Sequence, residues 1–318
     1  MRGVRNLSRA DGIRQTMGFH TSLAALTLAG LTAAAQPATA EAPATIAYAQ
    51  RMQTWEVVLT SGKVVEVPEA LTVAPKDAVN EGERAPFLVS GDGRHIFYYR
   101  KTDGLFVERT VHGKERVVAK GITAYAIGEE WPFVSYDGSY VVMGTAGPGL
   151  GVFADLRTRK AMGPPEKTDS WSLSGFSPDS KRLLLGGEQM VVFDRALRPR
   201  LRLKTRLEPS ALAGDSTTSA VLVGKPNKYR KVRLLNLRTG RAGTVVKVKL
   251  PRGRYIDDID FDRSDRLIVR SRSAKGVAVY QVSRRTGAVK LLKEIARPDA
   301  AAWVLPGDDG YEPWTERK

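Results

Sequence analysis

From Glu41 onward the apolar residues come in short runs, not at helical spacing. The clearest are WEVVL at 55–59, HIFYY at 95–99, YVVMG at 140–144, RLLLG at 182–186, SAVLVG at 219–224, RLIV at 266–269 and VAVYQV at 277–282. Each is rich in β-branched or aromatic residues, and turn residues separate them roughly every 8–12 positions, a pattern that predicts an all-β sandwich, barrel or propeller.

A longer period decides among these. The stretch FSPDSKRLLLGG, Phe176 to Gly187, reads as a strand, a tight turn at Pro178-Asp179-Ser180 and a second strand from about Arg182. Weaker copies are SGDGR at Ser90, SYDGS at Ser135, AGDST at Ala213, DRSDR at Asp262 and PGDDG at Pro306; their acidic residues Asp92, Asp137, Asp179, Asp215, Asp265 and Asp309 lie 45, 42, 36, 50 and 44 positions apart. Asp suits such corners because it accepts bonds from its own following backbone, and Gly because it tolerates positive φ. A second turn follows each first one: SGKV at Ser61, HGKE at His112, RTRK at Arg157, RPRL at Arg198, RTGR at Arg238 and RTGA at Arg285. Strand, Asp turn, strand, loop, strand, hairpin, strand over roughly 40–45 residues is one blade of a β-propeller.

Five whole blades fit between about Arg84 and Ala296. A hairpin from Thr54 to Val67 and another from Ala301 through Pro306-Gly307-Asp308 to Trp314 are expected to combine as a sixth, so that the termini share a blade and close the ring without free edges. The expectation is a six-bladed propeller of four-stranded antiparallel blades, with seven blades as the alternative. FSPDSKRLLLGG, and more loosely VSYDGSYVVMG and VSGDGRHIFYY, resembles the repeat signature of TolB-like and WD-repeat-like β-propellers. The resemblance implies the fold over nearly the whole mature chain and no particular function, since such repeats serve scaffolds, receptors and enzymes alike. The Gly-His and Trp-Asp pairs of strict WD repeats are absent, and no hydrolase domain is expected after the propeller.

The first forty residues read as a leader. Arg2, Arg5, Arg9 and Arg14 precede an apolar run from Thr21 to Ala35, and Ala38-Thr39-Ala40 is a small-x-small cleavage site. The run is too short to span a bilayer comfortably. Residues 1–40 are thus expected to be a secretory signal peptide cleaved after Ala40, and 41–318 an extracytoplasmic propeller with no transmembrane segment. The chain has no cysteine, which removes disulfides, thiolate metal sites and a cysteine nucleophile from consideration.

Candidate chemistry is sparse. There is no G-x-S-x-G nucleophile elbow. His95, in a strand with Phe97 and Tyr99, and His112, in a hairpin, read as packing and turn residues. GPGLGVFA at 147–154 contains GxGxxA, but a strand pattern follows the glycines where a dinucleotide site needs a helix, so no cofactor is implied. In RYIDDIDFDRSD the alternation of Asp258, Asp260 and Asp262 with Ile259 and Phe261 places carboxylates on one face of a strand. Asp258 and Asp260 are candidate metal ligands there. The simpler reading is turn capping and pairing with Arg254, Arg263 and Arg266.

Charge carries the strongest signal beyond the fold. The chain has a net charge of +16, and Lys181 to Arg254 holds 19 basic against 4 acidic residues. Arg198, Arg200, Arg202, Lys204 and Arg206 alternate with Pro199, Leu201, Leu203 and Thr205; Lys231 and Arg233 alternate with Val232 and Leu234; Lys247 and Lys249 with Val248 and Leu250. As strands these segments present their cations on one side and apolar residues on the other, and adjacent blades are expected to set the rows side by side at the rim as a polyanion-binding face. No aromatic residue interleaves with the Arg198–Arg206 row, which disfavours base stacking and sequence-specific nucleic-acid binding. The functional expectation is a secreted, monomeric, noncatalytic binding or scaffold module for a protein partner or an anionic polymer. The alternative is a metal-dependent propeller enzyme, lactonase-like or glycan-cleaving, using channel carboxylates.

Overall fold

The structure, a computed structural model, describes residues 45–308 except 146–149, 166–170 and 227. The expected leader, the glycines Gly147 and Gly149 and the stretch from Asp309 to Trp314 lie outside the described residues. The described chain is all-β, with one short 3-10 turn at Ala124–Ala126 and no α-helix.

Six four-stranded antiparallel sheets form a propeller ring. Blade 1 runs, from its first strand outward, Ala302–Val304, Ile46–Arg51, Trp55–Leu59, Val64–Val67; blade 2 is Phe87–Val89, His95–Tyr99, Phe106–Thr110, Arg116–Val117; blade 3 is Glu130–Val134, Tyr140–Thr145, Leu150–Asp155, Lys160–Met162. Blade 4 is Ser172–Phe176, Arg182–Gly186, Met190–Asp194, Pro199–Leu203; blade 5 is Pro209–Leu212, Thr218–Val223, Lys231–Asn236, Val246–Lys247; blade 6 is Asp258–Phe261, Leu267–Ser273, Gly276–Val282, Val289–Ala296.

The termini share blade 1 as the repeat arithmetic predicts, but divided three strands to one. Ile46–Arg51 supplies the strand that the C-terminal hairpin was expected to give, pairing Ala49 with Val304 on one side and Val57 on the other. Its sequence, IAYAQR, hides the strand: a bulge between Ile46 and Tyr48 breaks the period of two, and its alanines look like a continuation of the leader.

The core lies between the blades. Trp55 of blade 1 stacks on Phe87 of blade 2 at 4.5 Å, and Phe87 on Tyr98 at 5.9 Å. Separate buried clusters fill the other interfaces: Leu88, Phe97 and Met143 between blades 2 and 3; Val142, Phe153, Leu185 and Phe193 between 3 and 4; Leu184, Val192, Val221 and Leu235 between 4 and 5; Val232, Phe261 and Val269 between 5 and 6; Val277 and Trp303 between 6 and 1. Each such side chain contributes about 1.5–3 kcal/mol on burial. The two faces of a blade, which strand alternation separates, therefore belong to two different interfaces.

The Asp turns hold the inner hairpins. Asp92, Asp179 and Asp215 each accept a backbone N–H two residues on, from Arg94, Lys181 and Thr217 at 3.1, 3.1 and 2.8 Å. The residue after each Asp has positive φ: Gly93 +70°, Ser180 +57°, Ser216 +58°. In blade 6 the register differs from the sequence alignment. Asp262 accepts the N–H groups of Ser264 and Arg266 at 2.9 Å each, and Asp265, at φ +55°, takes the left-handed position. Its carboxylate instead accepts Gly214 N–H of blade 5 at 2.6 Å, a tie between neighbouring blades.

Candidate functional site

The first strands of blades 3 to 6 line a central cavity of about 810 Å³, whose polar wall includes Ser172, Ser174, Arg206, Glu208, Asp258 and Asp260. Strand alternation puts Asp258 and Asp260 on its face, as expected. Arg270, directly opposite Asp258 in register, bonds its carboxylate at 2.6 Å, donates to Pro306 O at 2.9 Å and lies 3.6 Å from Asp308. It thereby ties blade 6 to the C-terminal turn beside blade 1. Sequence reasoning missed this arginine; the hairpin register that sets it across from Asp258 is the signal that locates it.

Asp260 lines the cavity and is partly exposed to it. Its one hydrogen bond among the described residues comes from Phe261 N–H at 2.7 Å. Burial first, and the Asp258 charge second, push its carboxyl up to about 7, with Arg270 opposing. Of the expected arginine partners, Arg266 pairs with Asp262 at 2.6 Å. Arg254 pairs with Glu294, and Arg263 lies 3.8 Å from Asp92 and over the Tyr136 ring. Among the described residues no group of three or more His, Cys, Asp or Glu is placed to hold a metal ion.

His95 is more than a packing residue. Its Nδ1 lies 2.5 Å from Oε1 of Glu108, a carboxylate only 6% exposed that also holds Arg116 at 2.8 Å. The Glu108 hydrogen bond raises the imidazole above its ordinary range against the effect of burial. Burial opposes ionisation of Glu108, yet His95 and Arg116 hold it below the usual carboxylate range. His112 is exposed in its hairpin. After the glycines at 147 and 149 the chain forms a strand, Leu150–Asp155.

The basic rows occupy two different grooves. In the outer strand of blade 4, Leu201 and Leu203 pack on the cluster shared with blade 5. Arg202 stands opposite Val191, whose cluster belongs to the interface with blade 3. Arg200 is the extra residue of a bulge in that strand pair and is bound by Asp194 at 2.5 Å; Arg198, Lys204 and Arg206 are exposed, and Arg206 reaches the channel wall. Arg233 of blade 5 stands opposite Val221, which faces blade 4. Lys231 is on the same face, directly across from Lys247. The blade 4 and blade 5 rows therefore lie on either side of the outer strand of blade 4.

Pairing separates these rows more sharply than position. From Pro209 to Arg254 eleven basic residues face one acidic residue, Asp215. Among the described residues, Arg254 with Glu294 is the one ion pair that any of the eleven makes; Arg230 donates to the carbonyls of Leu250 and Pro251. Lys231, Lys247 and Lys249 are exposed.

Neither a family model nor a curated protein matches the chain. Solved structures similar to it include TolB from Acinetobacter baumannii, 16% identical over 78% of this chain with a TM-score of 0.44; this chain spans 65% of the length of that protein. A protein described as TolB from Agrobacterium tumefaciens is 14% identical over 84% of this chain and 96% of its own, with a TM-score of 0.46. An oligogalacturonate lyase in complex with manganese is 14% identical over 86% of this chain and 80% of its own, with a TM-score of 0.43. At these identities and scores the likeness bears on neither activity nor ligand.

Proposed function

We propose that the protein is an exported, noncatalytic binding or scaffold module that engages an anionic polymer through blades 4 and 5. The observation that carries this reading is the set of exposed cations in blade 5 without carboxylate partners. A fold stabilised by its charges pairs them; like charges left facing each other across a strand pair, as Lys231 and Lys247 are, oppose folding. Their use is outward, toward an anion that releases counterions on binding. Arg198, Lys204 and Arg206 extend the field across blade 4, and Arg200 and Arg202 contribute less because Asp194 already neutralises the first and the second is also partnered. Export is proposed on the leader-like sequence before Glu41; among the described residues no helix is long and apolar enough to cross a membrane.

Retention on a polyphosphate matrix tests the reading. The protein is expected to bind at low salt and elute as salt rises, and the triple variant Lys231→Gln, Lys247→Gln, Lys249→Gln to elute clearly earlier with an unchanged circular-dichroism spectrum. Equal elution of the two would refute it.

One observation favours a second reading. Asp260, its carboxyl raised to about 7 in the cavity wall beside a second carboxylate, has the character of a general acid or base. An enzyme using Asp258 and Asp260 predicts turnover of a glycan or lactone substrate that is sensitive to chelator and lost in Asp260→Asn.

A further inference from the structure

The rim shared by blades 5 and 6 carries cations and exposed apolar residues together. The hairpin of blade 6 that follows Val282 is clamped onto the edge of blade 5: Lys249 N–H donates to Gly287 O at 2.8 Å. Gly287 has φ +68°, and a Cβ there would sit 1.9 Å from the Lys247 carbonyl oxygen, so only glycine permits the approach. The clamp sets the turn that carries exposed Arg285 and half-buried Arg284 against the segment of Lys247 and Lys249. None of the four makes an ion pair among the described residues. Arg284 rests over the Phe261 ring at 4.9 Å, held by packing and not by an opposing charge.

The outer strand of blade 6 continues from this hairpin with Leu291 and Leu292, 51% and 42% exposed. Leu291 stands opposite Tyr280, on the face toward blade 5, and Leu292 is the extra residue of a bulge in that strand pair. A bulge turns its residue away from the regular pleat. Val245, just before the outer strand of blade 5, is 39% exposed, and Tyr255, in the connection to blade 6, is 36% exposed. A soluble polyanion uses the cations and leaves these side chains wet. A phospholipid surface with anionic headgroups takes both, the cations at the phosphates and the leucines and tyrosine at the boundary with the acyl chains.

We propose that the outer edge of blades 5 and 6 docks on an anionic phospholipid bilayer. The proposal rests on the anion-binding reading of blade 5 and narrows it to one partner. It is tested by co-sedimentation of the full chain with vesicles of phosphatidylcholine alone or mixed equally with phosphatidylglycerol, with polyphosphate binding measured in parallel. Any leader contributes equally to wild type and variants. Wild type is expected on the mixed vesicles and not on phosphatidylcholine alone. Leu291→Asn with Leu292→Asn is expected to lower vesicle partition by about tenfold or more while polyphosphate binding stays the same. Leu292→Trp is expected to raise partition severalfold. Polyphosphate binding without vesicle binding, or vesicle binding indifferent to both leucine changes, overturns the bilayer proposal and leaves the anion-binding reading standing; binding to neither overturns both.

Discussion

In blade 2, Arg100 ends on Asp103 and Glu115, Arg109 on Glu69, and Arg116 on Glu108. In blade 5, with the same strand plan, Lys231 faces Lys247 across the outer strand pair, and Arg254 alone of eleven basic residues makes an ion pair among the described residues. The difference is one of position as well as pairing. Arg109 is 9% exposed and Glu108 6%, so in blade 2 Arg109 without Glu69, or Glu108 without His95 and Arg116, would be a buried charge, which costs several kcal/mol. Blade 5 keeps Lys231, Lys247 and Lys249 exposed, and in water repulsion between neighbours is weak enough to be tolerated. Charge in the first region is part of the fold; in the second it is available to a ligand.

Removing a charge from each region should then have opposite consequences. Arg109→Ala removes the ion pair with Glu69 and the hydrogen bond to the Tyr98 hydroxyl at 3.0 Å, while that hydroxyl keeps Glu115 at 2.6 Å and Glu69 at 3.2 Å; the loss of these charge-assisted bonds is expected to cost about 2–4 kcal/mol in urea unfolding. A loss below about 1 kcal/mol would place this pair with weak surface contacts.

The His95–Glu108 pair gives blade 2 a pH signature. Its contribution from Glu108, whose pKa is lowered from 4.5, is present above that value and fades as pH falls through the lowered one. The contribution from His95, raised from 6.5, is present below that value and fades as pH rises through the raised one. Glu108→Gln should therefore cost most between 4.5 and 6.5, about 2 kcal/mol for the charge-assisted bonds lost. A deficit independent of pH across pH 4–8 would mean that the pair is not ionised in the folded protein.

The smallest effect has the reverse sign. Lys231→Glu turns a cross-strand repulsion with Lys247 into an attraction, and is expected to stabilise the protein by about 0.2–1 kcal/mol in the same urea assay. Destabilisation would show that Lys231 has a structural partner.

Much of this contrast follows from local sequence and some of it does not. The turns at Asp92, Asp179 and Asp215 were legible because a short acidic side chain and its following backbone make the same bonds wherever they occur. Asp265 misled the alignment because DRSDR offers two aspartates, and which one caps the turn depends on where positive φ falls. The strand at Ile46–Arg51 was obscured by its bulge. The alternation of Arg202 with Leu201 and Leu203 predicted which side chains point inward, but the groove each row enters is set by the packing of whole blades against one another. Arg270 was missed because its role depends on hairpin register and on the approach of the C-terminal turn, neither of which is local.

The salt dependence of polyphosphate binding distinguishes unpaired from paired cations most directly. In one variant Lys231, Lys247 and Lys249 become Gln. In the other Arg157, Arg200 and Arg266 become Gln; these are likewise exposed but bound by Asp137, Asp194 and Asp262. Each cation that displaces counterions adds roughly 0.7–0.9 to the slope of log K against log salt. The first variant should lose about 2 to 3 from the wild-type slope and the second almost nothing. Equal losses in the two variants, or no loss in the first, would contradict the claim that blade 5 holds its cations for a ligand.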